Sequence, residues 1–266
     1  MTDGPSHWPG FYVLGSALRE RRTSRGVSLR QLAAKLGFSP SALSGWETGE
    51  RAIEPGQLGW ILGYLQVEPA ERQLLTHLHR QSERTSYIES LTSGTPSLQE
   101  VYEQHALRTF QWAPHVVPDL LQTAEYAHAV LGRVAPADDV DQEILTRQVR
   151  QLDRDPRHRH TVLLGAAAVN HELVPPEVQR AQLRHITALA DLGLVKAGVV
   201  RENLGPAGPT APFVVYQTAA KTFTVVLRHE HAAVYLSDLD TVRRYRSTFA
   251  TLQKRTVDYG ELVDAC

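Results

Sequence analysis

The chain has 266 residues, of which 42% are hydrophobic and 21% are charged, and its formal net charge at pH 7 is -1. A chain of this length and composition can bury the core of one or two domains, which excludes wholesale disorder and fibrous repeats. The single cysteine, Cys266, excludes an intrachain disulfide framework and a cysteine-based metal cage. Because we find neither an apolar run of about 20 residues nor a basic, apolar leader, we expect a cytoplasmic protein without membrane segments.

The N-terminal part of the chain has the pattern of short helices. Apolar residues recur at helical spacing in five stretches between Leu14 and Gln81, and glycine or proline separates these stretches. This predicts an all-α domain of five helices, which we place in residues 1–81. Half of the residues in the following segment, 82–97, are serine or threonine, which is typical of a linker.

The remaining residues, 98–266, mix helical and strand patterns. Helical spacing predicts helices at 98–110, 123–131, 141–152, 176–190 and 239–255. Runs rich in valine, leucine, threonine and tyrosine predict strands at 161–169, 195–201, 213–217, 222–228 and 232–236. The short loop between the second and third strands predicts that these two strands pair antiparallel. We therefore expect an α+β domain with a mainly antiparallel sheet.

A helix-turn-helix pattern lies at Leu29–Thr48. Ala33 stands where two crossing helices leave room for a small side chain, and Gly37 stands four residues later, where the first helix ends with positive φ. Five apolar residues then fall on the inward face of the unit: Leu32, Leu36, Phe38, Leu43 and Trp46.

Capping residues occur in register with this pattern. Ser28 and Gln31 form a capping box at the start of the first helix, and Ser39 followed by Pro40 caps the second. An ordinary αα-hairpin needs similar caps and small residues, so it remains the structural alternative.

The chemistry of the outward face favours DNA binding. In a helix-turn-helix unit the second helix lies in the major groove, and the positions that reach DNA are here small or hydroxyl-bearing: Ser39, Pro40, Ser41, Ser44, Gly45 and Thr48. Such a surface allows close approach and hydrogen bonds to phosphates or base edges.

Positive charge is concentrated around the same segment. Residues 14–51 hold seven Lys or Arg residues against three Asp or Glu residues. We predict that Arg30, Lys35 and Arg51 contact phosphates, and that Arg19, Arg22 and Arg25 extend the positive surface along the preceding helix. For each arginine the alternative is a solvated surface charge, which is the favoured interpretation for Arg21 and Arg25. Gln31 can serve the capping box, the DNA, or both.

Two segments resemble known families. The stretch SLRQLAAKLGFSPSALSGWETGERAIEP resembles the XRE-type, lambda-repressor-like DNA-binding domain, through the skeleton Gln31, Leu32, Ala33, Gly37, Ser44, Trp46, Glu47 and Gly49. The stretch VPDLLQTAEYAHAVL, at Val117–Leu131, resembles the C-terminal domain of actinobacterial antitoxin-like regulators. The resemblance implies a homodimeric transcriptional regulator that binds double-stranded operator DNA and is often encoded beside a small partner protein.

Catalytic and metal chemistry find less support. The sequence contains no nucleophile elbow, phosphate-binding loop or dinucleotide fingerprint, so we expect no enzymatic activity, catalytic residue or cofactor. His158 and His160 are expected in a solvated surface turn. His229 and His231 would share a face on a strand, but two ligands do not make a metal site, and we expect none.

The second domain leaves two functional alternatives open. Trp112, Gln122 and Tyr126 could line an effector pocket, although core or interface packing is the more frequent role of such residues. The protein would then be a ligand-sensing repressor. Alternatively, it is an interaction module that sequesters a small toxin-like partner, with DNA binding secondary.

Overall fold

The computed structural model describes residues 9–82, 84–91, 97–133, 137–152, 158–169, 174–200, 211–219, 221–229 and 231–258. Five helices make up the N-terminal part of the described chain, as the periodicity predicts. They are α1 (Pro9–Ser24), α2 (Leu29–Leu36), α3 (Pro40–Glu47), α4 (Pro55–Tyr64) and α5 (Pro69–Gln81). Proline occupies the first position of α3, α4 and α5, where its missing N–H breaks no helical hydrogen bond.

The remaining elements alternate between strands and helices. They are β1 (Ser86–Ser90), α6 (Leu98–His105), β2 (Arg108–Ala113), a 3₁₀ turn (Asp119–Leu121), α7 (Ala124–Leu131), α8 (Ala137–Leu152), β3 (Arg159–Gly165), α9 (Ala166–Val169), α10 (Pro176–Asp191), β4 (Val195–Val200), β5 (Phe213–Gln217), β6 (Phe223–Arg228), β7 (Ala232–Leu236), α11 (Leu239–Gln253) and β8 (Thr256–Asp258). The strand order in the sheet is β1-β7-β6-β5-β2-β3-β4-β8. The α+β fold class is confirmed.

The pairing of the strands explains the mixed pattern of the sequence. β7 pairs antiparallel with both β1 and β6, and β8 pairs antiparallel with β4. In contrast, β3 pairs parallel with both β2 and β4. Parallel strands need a long crossover, which the helices between them supply.

Three sequence-based assignments need correction. The helix expected at 98–110 ends at His105, because Ala106 turns to extended backbone and the β-favouring run that follows forms β2. The strand expected at 161–169 gives way after Gly165 to the alanine-rich α9. β4 and β5, the strands expected to pair antiparallel, do not pair with each other, since β4 lies between β3 and β8.

The segment expected as a linker contains an ordered strand. Of residues 82–97, Ser86–Ser90 form β1, in which Tyr87 and Glu89 point inward and the serines and Ile88 point outward. This alternation is the two-residue period of a half-buried strand. The domain boundaries themselves stay a prediction.

The chain divides into two compact units, which we describe separately. The first comprises Met1–Ala106 and Tyr216–Val242, and the second comprises Leu107–Val215 and Arg243–Cys266. In the first unit, α1–α5 enclose an apolar core, which includes Val13, Leu14, Leu18, Leu32, Leu43, Ile61, Leu62 and Leu75. Tyr102 of α6 stacks on Tyr216 and contacts Tyr235, so aromatic rings fix α6 on this part of the sheet.

A buried carboxylate anchors β1 in the same unit. Glu89 Oε2 accepts a 2.6 Å hydrogen bond from the Tyr235 hydroxyl, and Glu89 Oε1 accepts a 2.8 Å bond from the Leu98 N–H at the start of α6. Burial and the neighbouring Glu89 carboxylate raise the pKa of Tyr235 well above its usual value, which keeps the phenol protonated as a donor.

The second unit packs helices against the parallel strands. Its apolar cluster combines residues of β3 and β4 with residues of α7 and α10, including Tyr126, Val162, Leu164, Leu183, Ile186 and Val199. Within this unit Phe110 of β2 also meets Phe249 of α11 in an edge-to-face contact at 5.6 Å between ring centroids.

Candidate nucleic-acid interface

The first helix of the motif, α2, begins and ends as the sequence predicts. Ser28 Oγ accepts a hydrogen bond from the Gln31 N–H at 3.3 Å, and Gln31 Oε1 accepts one from the Ser28 N–H at 2.8 Å. Gly37 ends the helix with φ 72°, in the left-handed region that glycine adopts without strain. The side-chain oxygen of Gln31 is therefore engaged in the capping box.

The second helix, α3, exposes the small polar surface expected of a recognition helix. The Ser39 hydroxyl accepts a 3.1 Å hydrogen bond from the Ala42 N–H and caps the helix. Ser39, Pro40, Ser41 and Ser44 are exposed, whereas Thr48 is half-buried. The Thr48 hydroxyl donates to the Ser44 carbonyl at 3.0 Å, so part of its hydrogen-bonding capacity is used within the helix.

Three basic side chains flank this surface. Arg30, Lys35 and Arg51 are exposed, and within the described part of the chain none of them forms an ion pair. The Arg51 stem lies over Gly45, because a Cβ at Gly45 would come within 2.9 Å of Arg51 Cδ. The missing side chain at Gly45 thus lets Arg51 lie directly against the recognition helix, although Gly45 itself is buried and not free to reach DNA.

Arg22 has a different role from the one expected. Instead of extending the positive surface, it is 7% exposed and forms a bidentate ion pair with Glu47, with Nε–Oε1 at 2.6 Å and Nη2–Oε2 at 2.8 Å. Arg22 Nη1 also donates to the Val27 carbonyl at 2.8 Å. The hydrogen bond to Glu47 raises the pKa of Arg22. Arg22 therefore fixes the end of α3 against α1 and the α1–α2 turn.

The neighbouring arginines of α1 also have partners. Arg21 pairs with Glu71 of α5, and Arg25 donates to the Gln66 carbonyl at 3.0 Å. Arg19 is exposed. Of Arg19, Arg22 and Arg25, which were expected along the positive surface, Arg19 alone has no side-chain partner among the described residues.

Close backbone contacts set the position of α3. A Cβ at Gly15 of α1 would lie 2.2 Å from the Trp46 carbonyl oxygen, so only glycine lets the two helices approach this closely. The Phe38 ring meets Trp46 edge-to-face at 5.0 Å and stacks on Trp60 of α4 at 6.0 Å. The sequence analysis does not single out Trp60, although a tryptophan among the glycines of α4 indicates a ring contact with a neighbouring element.

The candidate effector residues lie in the core of the second unit. Gln122 Nε2 donates to the Val117 carbonyl at 2.7 Å, and the Tyr126 hydroxyl accepts from the Val117 N–H at 3.4 Å. Both side chains are buried, and burial raises the pKa of Tyr126. The structure thus brings Gln122 and Tyr126 together at one loop.

Trp112 is not part of this group. It is buried, but the adjacent Ala113 belongs to the cluster that contains Tyr126, and successive strand residues point to opposite faces. The three residues expected to line one pocket therefore do not meet.

Two histidine pairs differ from expectation. His158 and His160 are buried rather than solvated, with hydrogen bonds to Thr109 at 2.9 Å and to Gln111 at 3.0 Å. His229 and His231 lie in the turn between β6 and β7, not on a strand. Among the described residues, we find no group of three His, Cys, Asp or Glu side chains that could hold a metal ion.

The geometry of α2 and α3, with its caps, left-handed glycine and exposed hydroxyls, defines a helix-turn-helix domain. Residues 13–75 match a family model described as a helix-turn-helix domain. Residues 99–262, more than half of the chain, match the family described as a domain of unknown function (DUF5753), and the chain belongs to that family. The helix-turn-helix match supports a DNA-binding regulator, a class of protein that is usually not enzymatic.

Comparisons with whole proteins are more distant. A comparison with curated proteins found no match. Among solved structures, the chain is similar to one described as the structure of TrmBL2, an archaeal chromatin protein, which shows a novel mode of DNA binding. The identity is 10%, the TM-score is 0.33, and the match covers 70% of this chain and 60% of that one. Within the described part of the chain, no helix is both long and apolar enough to span a membrane.

Proposed function

We propose that this protein is a sequence-specific transcriptional regulator of the XRE, lambda-repressor-like type, which binds double-stranded operator DNA through residues 1–81. The observation that carries the proposal is the exposed hydroxyl surface of α3 with Arg30, Lys35 and Arg51 around it. A helix with small side chains can approach the floor of the major groove, while flanking cations neutralise phosphates.

The roles of the individual residues follow from their exposure. Ser41 and Ser44 are exposed on α3 and read base edges or donate to phosphates. The Ser39 and Thr48 hydroxyls each form a hydrogen bond at one end of α3, and the side-chain oxygen of Gln31 accepts a hydrogen bond at the start of α2. These three residues position the motif and contact DNA only with their remaining groups. Arg30, Lys35 and Arg51 supply most of the affinity.

Because no Arg, Asn or Gln stands on the exposed face of α3 itself, bidentate base recognition by that helix is absent. Specificity then depends partly on DNA shape and on the spacing of half-sites. We propose a homodimer that presents two recognition helices about 34 Å apart, one turn of DNA, and therefore a palindromic operator. A regulator of this kind would be located in the cytoplasm, together with its operator DNA.

The resemblance of Val117–Leu131 to antitoxin-like regulators supports a further part of the proposal. We propose that a small protein encoded nearby binds the second domain and modulates DNA binding. Sequestration of that protein as the main function remains the alternative. The buried positions of Gln122 and Tyr126 do not favour a ligand-sensing role through these residues.

A gel-shift titration tests the proposal. The purified protein is titrated against its own upstream DNA and a scrambled control at two salt concentrations, with and without the neighbouring small protein. Selective, salt-sensitive binding is expected, and a change on adding the partner would show the direction of regulation. Equal binding to both DNAs, or none, would instead support the interaction module.

Charge variants sharpen this experiment. Arg30→Ala and Arg51→Ala should each weaken binding to both DNAs and reduce the slope of log K against log salt by about 0.9 per lost phosphate contact. Arg72→Ala, at an exposed position on α5, is the matched control and should leave the slope unchanged. An unchanged slope in the first two variants would show that these residues do not contact phosphates.

A further inference from the structure

Among the described residues, the sheet of the first unit has an outer strand whose edge pairs with no other strand. Among the described strands, β1 is the terminal strand of the sheet and has β7 as its neighbour on one side. The hydrogen bonds from Leu91 N–H to the His231 carbonyl, at 2.9 Å, and from Ser237 N–H to the Thr85 carbonyl, at 2.6 Å, show which β1 residues face β7. They are the odd-numbered residues Tyr87 and Glu89, which lie between the flanking Thr85 and Leu91.

Because hydrogen-bonded and non-hydrogen-bonded pairs alternate in an antiparallel ladder, the even-numbered residues point their backbone groups the other way. These residues are Ser86, Ile88 and Ser90, which pair with Leu236, Val234 and Ala232 in the register of β1 and β7. Their N–H and C=O groups therefore face the open edge. Such an edge is a template for another strand.

Natural sheets usually protect an open edge with charge, proline or a bulge, and β1 has none of these in its outward positions. The outward side chains are two serines and an isoleucine that is 68% exposed. Glu89 points inward, and its carboxylate accepts hydrogen bonds from the Tyr235 hydroxyl and the Leu98 N–H within the unit. The edge thus matches an uncharged strand, not an acidic or basic one.

We propose that this edge pairs with β1 of a second copy of the chain, antiparallel and with the two-fold axis at Ile88. In that register Ile88 lies opposite its own symmetry mate, and Ser86 lies opposite Ser90 of the second copy. All three pairs are of the hydrogen-bonded kind, so every outward N–H and C=O group of the strand gains a partner. The uncharged outward side chains allow this self-pairing without repulsion between like charges.

The side chain of Ile88 adds to the backbone contact. A strand of five residues is about 17 Å long, and alone it supplies only part of the roughly 800 Å² that each partner of a stable complex buries. Ile88, Val234 and Leu227 lie in register across β1, β7 and β6 and share one face of the sheet. Val234 and Leu227 are half-buried and lie farther from the edge, so the apolar contact across the two-fold axis is made by the two Ile88 side chains.

The pairing of β1 strands would form the dimer interface of the proposed regulator. The interface rests on the proposed function only where an effect on DNA binding is concerned. Its test is the oligomeric state of the full-length protein, measured by light scattering without DNA. Ile88→Lys should shift the dimer to monomer, because two lysines would then face each other across the axis. Leu239→Lys, at a site 74% exposed outside the strand, carries the same charge change and should remain dimeric.

Cysteine cross-linking tests the register directly. In a Cys266→Ser background, Ile88→Cys would place two thiols on Cα atoms about 5.5 Å apart, within reach of a disulfide, and should give a covalent dimer on mild oxidation. Ser86→Cys alone should not cross-link, because the two copies of that residue would be about 13 Å apart. A mixture of Ser86→Cys and Ser90→Cys proteins should cross-link.

The outcomes separate this inference from the proposed function. A monomeric wild-type protein, or a dimer that Ile88→Lys leaves intact and Ile88→Cys does not cross-link, overturns the β1 interface while leaving DNA binding to be judged by gel shift. If the dimer forms as proposed but neither DNA is bound, the interface stands and the regulator proposal fails.

Discussion

The helix-turn-helix region and the segment around the 3₁₀ turn and α10 of the second unit use their polar side chains in opposite ways. In α2 and α3, Arg30, Ser41 and Ser44 are exposed and available to another molecule. In the second unit, Gln122 and Gln182 are buried, and their amides hold the backbone around the 3₁₀ turn. A polar residue in a suggestive pattern becomes a binding residue only where the fold leaves it outside.

The same contrast exists within the first unit. Arg22 and Arg51 are both arginines of the predicted positive surface, but Arg22 is enclosed by Glu47 and Val27, whereas Arg51 lies outside on Gly45. Arg22 therefore supports the fold around α3, whereas Arg51 belongs to the proposed DNA-binding surface. Variants can therefore separate stability from DNA binding.

The largest expected effect on stability comes from breaking the Arg22–Glu47 pair. Glu47→Ala leaves the guanidinium of Arg22 buried without its carboxylate, which costs about 3–5 kcal/mol. We expect a fall of this size in the free energy of unfolding, measured by denaturant titration, together with loss of DNA binding. Glu50→Ala, an exposed neighbour, should leave both unchanged. A Glu47→Ala protein with wild-type stability would show that the pair does not hold α3.

Gln182→Leu tests the buried amides of the second unit. Gln182 is 0% exposed; its Oε1 accepts from the Thr123 N–H at 2.8 Å and its Nε2 donates to the Leu121 carbonyl at 2.7 Å. Leucine leaves both backbone groups without partners, at a cost on the order of 3 kcal/mol. Gln148→Leu on α8 is the exposed control.

The same variant tests whether the buried amides of the second unit affect DNA binding. If the amide acts only on the fold of the second unit, DNA binding by Gln182→Leu below its unfolding transition should equal that of the wild type. Equal stability of Gln182→Leu and Gln148→Leu would mean that the Gln182 bonds contribute nothing.

The helix-turn-helix and the sheet also differ in how much of their structure can be predicted from the sequence. The helix-turn-helix was predictable because its signals are local: the Ser28 and Ser39 caps and Gly37 are read within a few residues of the structure they produce. The strand β1 was not, because its pairing and the Glu89–Tyr235 bond span 146 residues of sequence. A five-residue run with three polar members, in a segment rich in serine and threonine, has the composition of a loop until its partner is known.

Burial was the second property that the sequence did not show. Arg22 and Arg25 look alike in a basic segment, and only the position of Glu47, 25 residues away, makes Arg22 structural. The histidines give the same error, since the basic stretch around His158 and His160 predicts solvated side chains, but both lie buried against β2.

His105 of α6 gives an intermediate, pH-dependent effect in the first unit. Burial lowers the pKa of His105 to about 4, and the charge of Arg21 contributes to the shift. Glu20 Oε2 lies 3.6 Å from His105 Nε2, beyond hydrogen-bond distance, and does not offset the burial. Since this pKa is lower in the folded than in the unfolded chain, the contribution to stability is present above about pH 6.5 and is lost as the pH falls toward 4.

Between pH 7 and pH 5 the expected loss is about 2 kcal/mol. Urea titrations at the two pH values measure it, and the difference between wild type and His105→Gln isolates the contribution of this imidazole. An identical pH dependence in both proteins would show that His105 does not contribute to the loss.

The smallest effect on stability is expected at Gly45, where the recognition surface meets its basic flank. Gly45→Ala adds a Cβ 2.9 Å from Arg51 Cδ, and the flexible arginine can move away at little cost, while alanine favours the helix by up to about 1 kcal/mol. We expect unchanged or slightly higher stability but weaker DNA binding, with a smaller loss than for Arg51→Ala. Gly59→Ala on α4, where a Cβ meets open space, controls for the helix propensity. If Gly45→Ala binds DNA like the wild type while Arg51→Ala does not, DNA affinity depends on the charge of Arg51 and not on its contact with α3.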